Sequence, residues 1–110
     1  MKEAQLTAAG IVMDVMEGNN LNKVFQKYSK ENKINLKDIS QIKDLVFGTL
    51  RSYGKTKFVI NKLVKRTPSN ALILTLLHIA LFQLISNRSN SYTVVDQAVS
   101  ASNMINKRHT

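Results

Sequence analysis

Basic side chains are the residues of this chain that could do chemistry, and they concentrate in its second half. From Leu45 onward the sequence holds nine Lys and Arg residues and a single acid, Asp96, so the formal charge is +1 before Leu45 and +8 from there to the end. A one-sided positive field attracts polyanions, of which nucleic acid is the commonest and an anionic membrane surface the next. Charge alone also fits an ordinary protein kept soluble by lysine.

The candidate phosphate-binding residues centre on one predicted helix over residues 55–66. Four basic side chains lie on one face of that helix at spacings near one turn, and a fifth comes shortly before it. A sixth lies in a loop rich in serine and asparagine. Such groups bind the nucleic-acid backbone without reading its sequence. The predicted nucleic-acid-binding residues are Arg51, Lys55, Lys62, Lys65, Arg66 and Arg88.

Apolar residues on the same helix predict its buried side. At ~100° per residue, four apolar residues cluster opposite the basic ones: Val59, Ile60, Leu63 and Val64. Phe58 falls among the lysines instead, where it could stack on a nucleic-acid base. Packing under a neighbouring helix is the commoner role for such a residue, and the sequence favours that interpretation.

Groups that move protons, bind metals or attack substrates are sparse. His78 lies within an apolar helix and fits a core histidine with one satisfied partner, while His109 has no ligand partner near it in sequence. The chain has no cysteine, which excludes a disulfide framework, a Cys-ligated zinc and a thiol nucleophile, and fits a reducing cytoplasm. No Gly-rich phosphate loop or Ser/His/Asp set occurs. We therefore predict no catalytic site, metal or cofactor in these residues.

Helical spacing of apolar residues runs through nearly the whole chain, and a single domain of this length can bury a core. The apolar stretch over residues 71–85 has 15 residues, fewer than the ~20 of a membrane span, and predicts a helix at the centre of a bundle. Gly18 is placed to end the first helix, and Asn19 or Asn20 can cap the second. The predicted fold class is all-α, one compact bundle of about six helices, over residues 4–17, 21–28, 36–53, 55–66, 69–86 and from 93 onward.

Four short motifs resemble a known family. Residues 45–51 (LVFGTLR) and 58–63 (FVINKL) are similar to the NusB-like domain at the N-terminus of bacterial RsmB (Sun) proteins, and residues 81–85 (LFQLI) and 94–99 (VVDQAV) continue the similarity. Members of that family are S-adenosylmethionine-dependent methyltransferases that make 5-methylcytosine in small-subunit ribosomal RNA. The transcription antitermination factor NusB shares the fold, but its first helix is typically arginine-rich, whereas the first helix here offers only Lys2.

The resemblance implies that residues 1–110 are a NusB-like RNA-binding domain and an N-terminal fragment of a longer methyltransferase. A catalytic domain with a cysteine nucleophile and bound S-adenosylmethionine would follow Thr110, and this chain would position small-subunit ribosomal RNA for it in the cytoplasm.

The alternative is a free-standing NusB-like transcription antitermination or ribosome-assembly factor. It predicts a partner surface of exposed apolar residues, such as Tyr28 or Phe47. Membrane-surface binding needs aromatic residues opposite the lysines, a shape that the 55–66 helix has only weakly.

Overall fold

The computed structural model describes residues 2–31, 37–63 and 68–86, and six further positions between 93 and 100. Those parts contain helices and no strand, which confirms the predicted all-α class. The predicted count of about six is slightly too high: five helices are defined, and of the last predicted helix only the six positions are described, all of them helical. The helices are α1 (Lys2–Met16), α2 (Leu21–Lys30), α3 (Ile39–Arg51), α4 (Tyr53–Leu63) and α5 (Ala71–Ser86).

Single residues set several of the helix ends. Gly18 follows α1 with a φ of 104°, a left-handed conformation that glycine adopts without steric cost. Asn20 caps α2, since its Oδ1 accepts a hydrogen bond from the backbone N–H of Lys23 at 3.2 Å. Asn70 caps α5 in the same way, accepting from the backbone N–H groups two and three residues further on at 2.9 and 3.1 Å. The prediction for Gly18 is confirmed, and of the two asparagines predicted to cap α2 the structure places Asn20 at the cap.

The core lies between α1, α3 and α5, with α2 packed on α1 and α4 packed on α5. Helix α5 contacts α1, α3 and α4, so the central position predicted from its apolar sequence is confirmed. Nearly all of the buried core residues lie on α1, α3 and α5. Burying one Leu, Ile or Phe side chain contributes about 1.5–3 kcal/mol, so these three helices contribute most of the hydrophobic stabilisation. The central buried residues are Ile11 and Val12 from α1, Ile42, Leu45 and Val46 from α3, and Leu76, Ile79 and Phe82 from α5. No helix in the described ranges is long and apolar enough to cross a membrane.

The junction of α3 and α4 is the part of the fold that positions the predicted basic residues. Only Ser52 separates the two helices. Its backbone N–H donates to the carbonyl of Gly48 at 3.1 Å, and the N–H of Thr56 donates to the Ser52 carbonyl at 2.9 Å. Hydrogen bonds of the helical i→i−4 type therefore bridge the junction, and Arg51 comes one turn before Lys55. The break that the sequence predicted at Gly54 falls at Ser52 instead.

Candidate nucleic-acid interface

An exposed basic face runs from the end of α3 along α4. Arg51, Lys55 and Lys62 are all exposed. Lys55 and Lys62 are seven residues apart, so they lie on the same side of α4, about 10 Å from one another along its axis. Residues 45–63 contain no acid, so no carboxylate within that segment offsets these charges. We call this surface, formed by Arg51, Lys55 and Lys62 together with Phe58, the α4 face.

The other three predicted binding residues lie outside the part of the chain that the structure describes. They are Lys65, Arg66 and Arg88. Their contribution to RNA binding stays a prediction.

Phe58 lies between Lys55 and Lys62 and is 63% exposed. The Nζ atom of Lys62 is 5.4 Å from the centroid of its ring, within the range of a cation–π interaction. The expectation that Phe58 packs under a neighbouring helix is wrong, because α4 buries the side that carries Thr56 and Ile60. Leu63, predicted on the buried side, is 75% exposed.

His78 of α5 holds the inner side of α4. Its Nδ1 lies 2.6 Å from Oγ1 of Thr56, and its ring stacks on Tyr53 with centroids 3.9 Å apart. The single hydroxyl proton of Thr56 is directed to the Tyr53 carbonyl at 3.1 Å, so we assign the Nδ1 proton to His78, which donates to Thr56. Burial, and secondly the charge of Lys57, lower the pKa of His78. The prediction of a core histidine with a satisfied partner is confirmed, and its effect is to fix the orientation of α4.

A second basic surface, which the sequence analysis missed, runs along α2. Lys23, Lys27 and Lys30 are exposed and follow one another at intervals of about one helical turn. They line two open depressions, one of which includes Asp14 and the other Glu31. In the first half of the chain the acids nearly cancel the lysines, so the net charge gives no sign of this surface. Only the spacing of the three lysines along α2 could have predicted it. Because carboxylates share its depressions, part of its positive charge is offset.

An aromatic pair covers the outside of α2 and α3. The rings of Phe25 and Phe47 are 6.2 Å apart between centroids, and Nζ of Lys43 lies 6.0 Å from the Phe25 ring. Phe47 remains 43% exposed. Tyr28, the other residue predicted for a partner surface, is half-buried against the core, and that burial raises the pKa of its hydroxyl. The two residues therefore do not form one exposed patch.

The described residues hold no group of three or more His, Cys, Asp or Glu that could bind a metal ion. A helical bundle with exposed basic residues in a segment without acids has the features of a nucleic-acid-binding helical domain. The chain matches the NusB family over residues 2–109, and it belongs to that family. This membership confirms the NusB part of the resemblance and indicates RNA as the class of ligand. No curated protein and no solved structure is significantly similar to the chain.

Proposed function

We propose that this chain binds small-subunit ribosomal RNA through the α4 face, as the accessory domain of a cytosine-C5 methyltransferase of the RsmB (Sun) kind. Its membership in the NusB family supports the RNA-binding part. The resemblance of residues 45–51 and 58–63 to RsmB motifs supports the particular family, and these two segments form the second halves of α3 and α4. The observation that carries the proposal is the exposure of Arg51, Lys55 and Lys62 in a segment without acids.

The role of the α4 face is to position RNA. Contacts from Lys and Arg to phosphates release counterions and supply affinity, but they carry no sequence information. The hydrogen bond from His78 to Thr56 and the stacking on Tyr53 hold α4 against α5, so the charges are presented from a fixed helix. The bundle binds the phosphate backbone of the RNA, and the target cytosine is presented to a catalytic domain of the same protein.

Methyl transfer itself is assigned to residues outside this sequence. The chain contains no cysteine that could attack C6 of cytosine. The depressions on α2 are lined by Lys23, Lys27 and Lys30, whose ammonium groups disfavour the positively charged sulfonium of S-adenosylmethionine. These residues do not fit the cofactor. Sequencing the gene beyond the codon for Thr110 tests the assignment, because a reading frame for a cofactor-binding domain with cysteines supports it and a stop codon overturns it.

The RNA-binding claim is tested by fluorescence anisotropy on a small-subunit ribosomal RNA hairpin across a salt series. Two variants each remove two charges from the same chain: Lys55→Gln/Lys62→Gln on the α4 face and Lys23→Gln/Lys27→Gln on α2. Each lost phosphate contact lowers the slope of log affinity against log salt by about 0.7–0.9, so we expect the α4 variant to lose about 1.4–1.8 units. The α2 variant should keep most of its slope. Equal losses in the two variants, or no binding by the wild-type chain, would overturn the proposal.

A free-standing NusB-like factor that acts through RNA and protein contacts is the second candidate. The exposed ring of Phe47, supported from beneath by Phe25, is the observation that favours it. A photo-crosslinking amino acid at position 47 tests it in cells. Crosslinks to a separate polypeptide of a transcription or ribosome-assembly complex would support this candidate, and their absence would count against it.

A further inference from the structure

We propose that Phe58 is a stacking platform for an unpaired RNA base, with Lys55 and Lys62 binding the phosphates on either side. This inference rests on the proposed function, since it names the class of RNA that the same face recognises. The preferred ligand is a segment with at least one unpaired nucleotide, such as a loop, a bulge or a single strand.

The exposure of Phe58 sets it apart from the other aromatic residues in the part of the chain that the structure describes. Phe58 is 63% exposed, and the described contact of its ring is with the ammonium of Lys62 at 5.4 Å. Phe47 is less exposed, and one side of its ring is stacked on Phe25. Phe58 thus has ring surface available for a base, and a cation next to it.

The spacing along α4 fits a nucleotide strand. Positions 55, 58 and 62 follow the i, i+3, i+7 rule, so at ~100° per residue they lie within about 60° of one another around the helix. Lys55 lies about 4.5 Å before Phe58 along the axis and Lys62 about 6 Å after it, at the ~1.5 Å rise of an α-helix. A basic track combined with an aromatic ring is how proteins bind single strands, because every base has a π-face. In a duplex, the neighbouring bases already cover those faces.

Two other kinds of partner fit the same surface less well. A membrane-surface helix needs several apolar residues on one side, but the exposed Leu63 lies about 140° around α4 from Phe58. The centre of a protein–protein interface is depleted in lysine, whereas Phe58 lies between two lysines. The positive charge around the ring, with no acid in residues 45–63, complements a polyanion.

The absence of tryptophan from the chain makes a direct test available. A Phe58→Trp variant carries one fluorophore at the proposed platform, and a Phe47→Trp variant carries one at the control position. We expect a single-stranded oligouridylate to quench the fluorescence of the first variant and not of the second. An RNA duplex of the same length should quench neither. Phe58 is 63% exposed and Phe47 is 43% exposed, so a larger ring can extend into solvent at either position and both variants should fold, which far-UV circular dichroism checks.

Affinity measurements with Phe58→Ala complete the test. Stacking contributes ~1–3 kcal/mol per base, so the variant should bind the single strand about 5- to 150-fold more weakly, while its salt slope stays unchanged. Phe47→Ala should bind like the wild-type chain. Quenching by phosphatidylserine vesicles but not by RNA would overturn the inference, as would an equal loss of single-strand and duplex affinity in Phe58→Ala.

The same measurements separate this inference from the function on which it rests. If Phe58→Ala binds the single strand normally while Lys55→Gln/Lys62→Gln does not, the stacking platform is refuted and the basic RNA-binding face stands. If the wild-type chain binds neither RNA, both are refuted.

Discussion

Replacing Gly48 with alanine is expected to destabilise the bundle, although alanine is the better helix former. Gly48 is buried within α3. A Cβ atom added at this position would overlap the ring of Phe82 on α5. That ring is only 7% exposed, and α5 also packs against α1 and α4, so the ring has little room to move aside. The substitution must therefore separate α3 from α5 or displace Phe82.

The expected loss follows from two opposing terms. Alanine gains ~1 kcal/mol over glycine in a helix interior. Overpacking a core costs about 1–3 kcal/mol, and a direct overlap with a buried ring belongs at or above the upper end of that range. The net loss is about 2 kcal/mol, out of the roughly 5–15 kcal/mol that keeps a domain folded. For a chain of this size that loss lowers the melting temperature by roughly 10 °C.

Urea unfolding followed by far-UV circular dichroism measures this loss, and Gly54→Ala is the matched control. The control makes the same substitution in α4, where the added Cβ would have no atom within 4 Å beyond its chain neighbours and the backbone of its own helix. It should stabilise the protein by up to ~1 kcal/mol, because only helix propensity changes. A Gly48→Ala variant as stable as the wild-type chain would refute the close approach of α3 and α5.

Three further predictions concern buried polar groups and a helix cap. The pKa of His78 is lower in the folded protein than in the unfolded chain, so the unfolded state binds a proton more readily. The free energy of unfolding should therefore keep its full value above about pH 6.5 and fall as the pH drops below that. Thermal melts of His78→Gln should lack that slope. Gln5→Leu should cost about 1–3 kcal/mol in urea unfolding, because the Gln83 Oε1 loses its 2.9 Å hydrogen bond. Adding Gln83→Leu should recover part of this, since it removes the Oε1 that the first substitution leaves buried without its donor, whereas additive losses would argue against a coupled pair. Asn70→Ala should cost ~1 kcal/mol by removing the cap of α5, and an unchanged unfolding midpoint would show that the cap is dispensable.

Helix ends were largely predictable because they depend on a few neighbouring residues. Gly18 is left-handed and Asn20 is a cap, as their types and positions predicted. The central place of α5 was also predictable, since a helix that is apolar nearly all round must be covered by others. The close approach at Gly48 had no such local signal, because it depends on Phe82, which lies far along the chain.

The sequence predicted which basic residues belong to the candidate site, but it predicted only partly which of their apolar neighbours are exposed. Arg51, Lys55 and Lys62 are exposed, as an RNA-binding role requires, but the helical periodicity misassigned Phe58 and Leu63. Periodicity gives the angle of a residue around its own helix. It does not give the extent of the neighbouring helices that would cover it, and here the buried side of α4 is centred on Thr56 and Ile60.

Residue composition alone established that the second half of the chain is basic and nearly free of acids. Apolar spacing predicted helices there, and the described residues of α4 and α5 are helical. Both features depend on residues close together in sequence. The tertiary structure decided which charges share a surface. It separated the lysines of α2, whose depressions include acids, from those of the α4 face, and it left Phe58 in solvent between Lys55 and Lys62. Those outcomes follow from contacts between helices distant in sequence, such as His78 against Thr56, which no local pattern encodes.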